Sequence, residues 1–400
     1  MLARLLILIY LSFISLGLPD SLLGSAWPAM HVSLGVPVSL AGVLSMIVSC
    51  GTVISSLMSA RLLHRFGTGL LTAVSVGLTA AALIGFAFSG SFIFLCLLAA
   101  PLGLGAGAVD SGLNNFVALH YYARHMNWLH CFWGIGATCG PLIMSFWLER
   151  RSNWRAGYLT VGVIQASLFL LLLATLPIWE KASRENNGET GKNAPVIPLK
   201  KLLALPGAAM VLLSFFCYCA VELTAGLWGG SYAVMRYGVK AETAAKWTSL
   251  FYFGITFGRF LSGIASIRFG NRQLIRAGQI LVFAGVMMMI LPLPVWKLPA
   301  GLCTAGLGCA PIYPSMLQDT PNIFGKSVSQ SIMGVQMAFA YIGSTFMPPL
   351  FGWIASYTGI AAFPVFLLVF VLGMTICREI VNRSGNRAVT ACQNAGGQES

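Results

Sequence analysis

Apolar runs with few charges, long enough to cross a lipid bilayer, recur along this chain, and they constrain its fold more than any motif does. A spanning helix needs ~20 mostly apolar residues. Cutting the sequence at the charges that interrupt such runs gives twelve of them, near residues 4–28, 38–60, 69–89, 92–119, 126–148, 156–179, 206–234, 243–266, 273–294, 298–318, 328–354 and 358–381. Only 9% of the 400 residues are charged, against about 25% in soluble globular chains. The expected class is therefore an all-α membrane protein with twelve transmembrane helices. The first run continues too far, and lacks the small-residue cleavage site, for a signal peptide. One long polar insert, Glu180 to Lys201, separates six runs from six. The expected layout is an N-terminal six-helix bundle at 1–180, a cytoplasmic linker at 181–205, a C-terminal six-helix bundle at 206–383 and a polar, disordered cytoplasmic tail at 384–400.

A net charge of +13 would make nucleic acid the first suspect in a soluble protein. Here the basic residues fall unevenly between the two sides of the membrane. Sixteen of the 24 lie on the side that holds both termini, seven on the other, and Arg259 falls within a span. Lys and Arg accumulate on the cytoplasmic side of membrane proteins, so both termini are expected inside a cell membrane. Basic loops also suit the anionic inner leaflet, so lipid is the expected partner and no nucleic acid is implied. The ten cysteines lie almost wholly within spans and without metal-ligand spacing. Cys217 and Cys219 form a CxC with no nearby histidine, which fits small packing residues. No phosphate loop, metal cluster or Ser/His/Asp set with supporting context is present, so neither an enzyme nor a cofactor is expected.

The two halves repeat one another. Arg65-Phe66-Gly67 recurs 203 residues later as Arg268-Phe269-Gly270, and the same offset maps Gly103-Leu104-Gly105 onto Gly306-Leu307-Gly308. An offset of 202 sets Asp20 and Gly24 against Glu222 and Gly226, and one of 207 sets Gly136 and Pro141 against Gly343 and Pro348. Two parallel six-span repeats with a site between them resemble the major facilitator transporters. That superfamily's gating loop reads GxLaDrxGrr. Leu62, Arg65 and Gly67 match it, with His64 in place of the acid, and the second copy keeps Gly263, Arg268, Gly270 and Arg272. By resemblance, Arg65, Gly67, Arg268 and Gly270 belong to gating loops.

Ionisable groups at membrane depth are costly and mark functional candidates. Asp20 follows a kink expected at Pro19, and Asp110 lies in the small-residue run GLGAGAVDSGLNNF. Held away from water, a carboxylate favours its protonated form, which suits the carriage of protons. Counted along the helices at ~1.5 Å per residue, the two acids lie at different depths and share no short hydrogen bond. Glu222 is the third buried acid, where repeat symmetry alone would place one. Arg259 and Asp319 both fall toward the cytoplasmic ends of their spans and are expected to form a structural pair.

The runs LPDSLLGSAWP, NWLHCFWGIG, YCAVELTAGLW and GRFLSG, with the acid and asparagine of span four, resemble the fucose permease family of fucose, galactose and glucose proton symporters. The resemblance implies a proton-coupled sugar importer in which Asp20 and Asp110 couple protons and Asn114 occupies a motif asparagine. His130 and Trp133 stand where that family carries its sugar-binding amide pair, and Asp110 stands where it carries Glu. From the residues alone, amides and imidazole suit sugar hydroxyls and aromatic rings suit sugar C–H faces. Asn114, His130, Trp133, Glu222, Trp228, Tyr313, Gln336 and Tyr341 are the candidate substrate-binding set. Trp228 and Tyr341 suit helix packing or the interfacial belt equally well, and His130 also suits a hydrogen bond to a neighbouring helix. The expected function is import of a small polar solute by a monomer, with protons as coupling ion and sodium left open. Drug or metabolite efflux is the rival, from Gly136, Gly140 and Pro141, which match part of an antiporter motif. A non-transporting membrane sensor is a further rival.

Overall fold

The computed structural model describes residues 2–120, 123–179, 205–292 and 294–396. The expected linker, apart from its last residue, and residues 397–400 of the expected tail lie outside the described residues. Among the described residues the chain is helical throughout, with no strand. Helices α1 (Leu2–Asp20) and α2 (Leu22–Leu34) make up the first span, parted at Ser21 just after Pro19. Proline lacks the donor for the i−4 carbonyl, and the Ser15 carbonyl left free in this way accepts from Gln165 of α6 instead. There follow α3 (Ala41–Phe88), α4 (Phe92–His120), α5 (Ala123–Arg151) and α6 (Trp154–Ala174). The second half holds α7 (Ala208–Tyr237), α8 (Ala241–Ala265), α9 (Asn271–Ile290), α10 (Lys297–Phe324), α11 (Lys326–Thr358) and α12 (Phe363–Gly396).

Two expectations change. Spans two and three, which share the one label α3, are two helices that meet at a sharp kink on Gly67, the one residue between them with non-helical angles (φ 71°, ψ 164°). That region of backbone space is essentially restricted to glycine. The expected tail is not irregular from residue 384, since α12 continues to Gly396 in a stretch that no proline interrupts. Nine helical stretches among the described residues are long and apolar enough to span a bilayer. The other three helices, α8, α10 and α11, have the length, at 25, 28 and 33 residues, but fall outside that apolar group.

The sequence repeat reappears as a repeat of contacts. Where Gly103 crosses α3, an added Cβ would stand 2.1 Å from the Val48 carbonyl oxygen; on Gly306 it would stand 2.0 Å from that of Phe251. Gly51 abuts Ala100 and Leu104 as Gly254 abuts Cys303 and Leu307, and Gly105 abuts Ser75 and Thr79 as Gly308 abuts Gly278 and Val282. Gly136 sits on Ile14 and Leu18 as Gly343 sits on Phe216. Small residues let helix backbones approach in the absence of a hydrophobic drive between helices. Each half therefore uses the same crossings, at corresponding positions.

The halves meet along α5 with α8, α3 with α11, and α2 with α7. Across these seams, Ser145 Oγ donates to the Glu242 carbonyl at 2.9 Å, Ser249 Oγ to the Thr138 carbonyl at 3.0 Å, and Lys246 pairs with Glu149 at 2.9 Å. Gly42 lies against Pro349, and Gly24 against Gly226. All of these lie toward the membrane face remote from the N-terminus. At the other face Arg65, Phe66, Gly67, Arg268 and Gly270 are exposed. The seams named above hold the halves together toward the face remote from the N-terminus.

Candidate functional site

The break after α1 leaves Asp20 at a helix terminus, exposed to the space between the halves. Its Oδ2 accepts the indole N–H of Trp133, from α5, at 2.8 Å. The Trp133 ring is edge-on to Tyr252 of α8, with centroids 6.5 Å apart, and the Arg259 guanidinium lies over it at 4.9 Å. Arg259 in turn stands 3.9 Å from the Glu222 carboxylate of α7, and its Nη1 donates to the His130 carbonyl at 3.4 Å. A continuous line of polar contact thus runs from α1 through α5 to α8 and α7, crossing the boundary between the halves at Trp133 and Arg259.

Asp110 and Asn114 form a second group on α4. Asn114 Nδ2 donates both to the Asp110 carbonyl and to Asp110 Oδ1, each at 2.9 Å, as the i,i+4 geometry of one helix face allows. Its own Oδ1 is buried and has no protein partner. Tyr313 of α10 and Tyr341 of α11 face Asp110 from the opposite half, within electrostatic reach of it. The Tyr313 hydroxyl donates to Met337 Sδ at 3.0 Å. Tyr341 reaches across the α3–α11 seam to Ser56. As expected from depth, Asp20 and Asp110 share no hydrogen bond among the contacts described.

The structure thus brings together Asp20, Asp110, Asn114, His130, Trp133, Glu222, Tyr313 and Tyr341. Two other candidates fall outside this group. Trp228 is fully buried, its N–H donating to the Pro348 carbonyl at 2.9 Å and its ring edge-on to Phe351, so it pins α7 to α11. Gln336 is also fully buried, and its Oε1 accepts from Thr320 at 2.9 Å, bracing α11 against α10. The expected Arg259–Asp319 pair is not formed. Asp319 is bound by Arg378 of α12, both side chains being buried, and Asn322 adds a donor at 3.3 Å. Position along a span fixes depth but not the direction a helix face points, and Arg259 faces α5 and α7.

Tyr252 belongs to the site although its sequence position gave it no mark as a candidate. Its hydroxyl occupies the space a Cβ on Gly226 would need, 2.4 Å away, and it lies within electrostatic reach of Asp20 and Glu222. The signal was available, because Tyr252, Thr256 and Arg259 follow the i, i+4, i+7 spacing of one helix face. Among the described residues no three of His, Cys, Asp or Glu converge in a way that could hold a metal ion. What the arrangement offers is a set of carboxylates, an amide, an imidazole, one guanidinium and several aromatic faces around a space between two bodies.

Comparison with known proteins agrees with this architecture. The family model described as Major Facilitator Superfamily matches residues 9–247 and 237–388. The chain is 24% identical over 401 residues to Bypass of stop codon protein 6 of Saccharomyces cerevisiae, covering 91% of this chain and 79% of that one. It is 24% identical over 320 residues to the glucose/mannose transporter GlcP of Bacillus subtilis, covering 76% of this chain and 75% of that one. A solved bacterial homologue of the human lysosomal transporter Spinster, in an inward-facing and unoccupied conformation, superposes with a TM-score of 0.74 at 13% identity. That match covers 95% of this chain and 98% of the other.

Proposed function

This chain belongs to the Major Facilitator Superfamily and is a multi-pass membrane transporter, and from that premise we propose that it carries a sugar or sugar-like polar solute together with protons. The observation that carries this reading is that two carboxylates of one half lie within electrostatic reach of the other, Asp20 of Tyr252 and Asp110 of Tyr313 and Tyr341. A carboxylate there can take a proton when the site opens to one side and release it when the site opens to the other. Asp110 is the coupling group and Asp20 relays or gates the proton. Trp133, whose indole binds Asp20, reports the state of that carboxylate to Arg259 in the other half.

With both termini cytoplasmic, the α2–α7 and α5–α8 seams hold the halves together toward the outer face. Rocking of the halves about the site then alternates access. The resemblance to a glucose/mannose transporter and the hydroxyl-matching groups of the site support a sugar-like cargo. Gly136 and Gly140, the residues behind the efflux reading, lie against the α1 backbone at Ile14 and Leu18, a use in helix packing that needs no antiport role.

The test is uptake by the purified chain in proteoliposomes under an imposed pH gradient. Accumulation should require the gradient, and Asp110→Asn should abolish accumulation while counterflow exchange persists. Undiminished accumulation by Asp110→Asn would overturn the coupling assignment.

A further inference from the structure

Arg259 is a largely buried cation that the structure places between the halves, and most of its hydrogen-bonding capacity there is unused. A guanidinium offers five N–H donors. Among the described residues Arg259 makes one hydrogen bond, at 3.4 Å to the His130 carbonyl. Its approach to Glu222, at 3.9 Å, is an ion pair too long to be a hydrogen bond. The side chain is largely withdrawn from solvent, with 17% of its area exposed, so water around it is restricted. The Trp133 ring lies against one face of the guanidinium, and the His130 carbonyl takes one of its five donors.

A buried guanidinium with unfilled donors is matched by a planar, bidentate acceptor. The groups around it complete a site for a hydroxylated molecule that ends in such an acceptor. The Asn114 Oδ1 is a buried acceptor with no protein partner, suited to a hydroxyl donor. The Trp133 ring, edge-on to Tyr252, lies against the guanidinium, suited to sugar C–H faces. Glu222 holds Arg259 only loosely, so an incoming carboxylate can take the fork without breaking a hydrogen-bonded pair.

Resting on the transport reading above, we infer that the substrate class is a sugar acid, a hexuronate or aldonate, whose carboxylate is clamped by Arg259. The three carboxylates of the site then acquire a role in order of events. An anionic sugar entering beside Asp20, Asp110 and Glu222 is repelled unless protons arrive with it, so charge compensation at the site itself ties the substrate to the coupling ion. A neutral hexose can accept from Arg259 through its hydroxyls but brings no charge to the site, and so lacks this tie.

The experiment compares matched pairs, glucose with glucuronate and gluconate, and galactose with galacturonate, by calorimetric binding to the purified full-length chain and by uptake into proteoliposomes. The acids should bind roughly tenfold to a hundredfold more tightly than their neutral counterparts, the discrimination that one charge-assisted bidentate contact supplies. Arg259→Gln should remove that discrimination, and Arg259→Lys, which keeps the charge but loses the fork, should restore only part of it. Melting of the ligand-free variants verifies that each folds; should Arg259→Gln unfold, Arg259→Lys alone carries the comparison. Equal or tighter binding of the neutral sugars, or unchanged acid affinity in either folded variant, overturns the inference. Proton-driven accumulation of neutral hexoses alone would overturn it while leaving the transport reading intact. Accumulation of neither class would overturn both.

Discussion

Gly24 and Gly226 are related by the internal repeat, and in the structure they touch. A Cβ built on Gly24 would lie 2.2 Å from the Gly226 carbonyl oxygen, where ordinary contact begins at 3.4 Å. Gly24→Ala therefore forces α2 and α7 at least about 1.2 Å apart at this point. Overpacking of this kind costs ~1–3 kcal/mol. The two helices belong to different halves, so the cost falls on the state in which the remote face is closed and is relieved when that face opens. Moved onto a two-state equilibrium, 1–3 kcal/mol is a roughly 5–150-fold shift. Spin labels at positions 66 and 269, exposed on the two halves at the face opposite the α2–α7 crossing, report that shift as shorter distances, measured with the native cysteines replaced. Uptake should slow in parallel. Gly136→Ala is the control, because its clash with the Ile14 carbonyl, at 2.0 Å, lies within one half and should lower the melting temperature without moving the labels. If Gly24→Ala left both distances and uptake at parental values, the view of the α2–α7 crossing as a state-dependent contact would be refuted.

Removing one member of the Arg378–Asp319 pair, as in Asp319→Ala, strands a buried charge and should destabilise the protein by about 3–5 kcal/mol in thermal or denaturant unfolding. The double replacement Asp319→Leu with Arg378→Met should recover most of that loss. Gly67→Ala places a side chain at φ 71°, ψ 164° and should cost ~1–3 kcal/mol, read in the same unfolding assay. Lys246→Met breaks the exposed Lys246–Glu149 pair and should change stability by no more than ~1 kcal/mol, an effect that fades as salt is raised. Trp133→Phe keeps a ring beneath Arg259 but removes the donor to Asp20. It should reduce gradient-driven uptake more than counterflow exchange, and equal losses in the two assays would argue against a relay through Trp133.

The fold was legible because its signals are local or periodic. Apolar runs mark helices, and four short repeats at offsets of 202 to 207 marked which helix crossings would recur; the Gly103 and Gly306 crossings follow from them. Side-chain partners between helices were less legible, because they depend on helix rotation. Arg259 and Asp319 seemed matched in depth yet face different neighbours, and Arg378, counted by position with the basic loop residues, is 1% exposed and paired inside the C-terminal half. The single-residue bend at Gly67 was hidden because a charged stretch between two apolar runs looks the same whether the backbone loops or turns on one glycine. Asp20, Asp110 and Glu222 were visible as acids at membrane depth; Tyr252 was not, since a tyrosine in a span is unremarkable until a partner approaches it.

The three helices outside the apolar group, α8, α10 and α11, all belong to the C-terminal half, whereas the N-terminal half contributes six stretches that meet the criterion. During synthesis the N-terminal half can therefore enter the bilayer one segment at a time, each partitioning on its own hydrophobicity. In the C-terminal half three of the six helices draw less on hydrophobicity of their own, so packing against α7 and α9 carries more of what holds them in place.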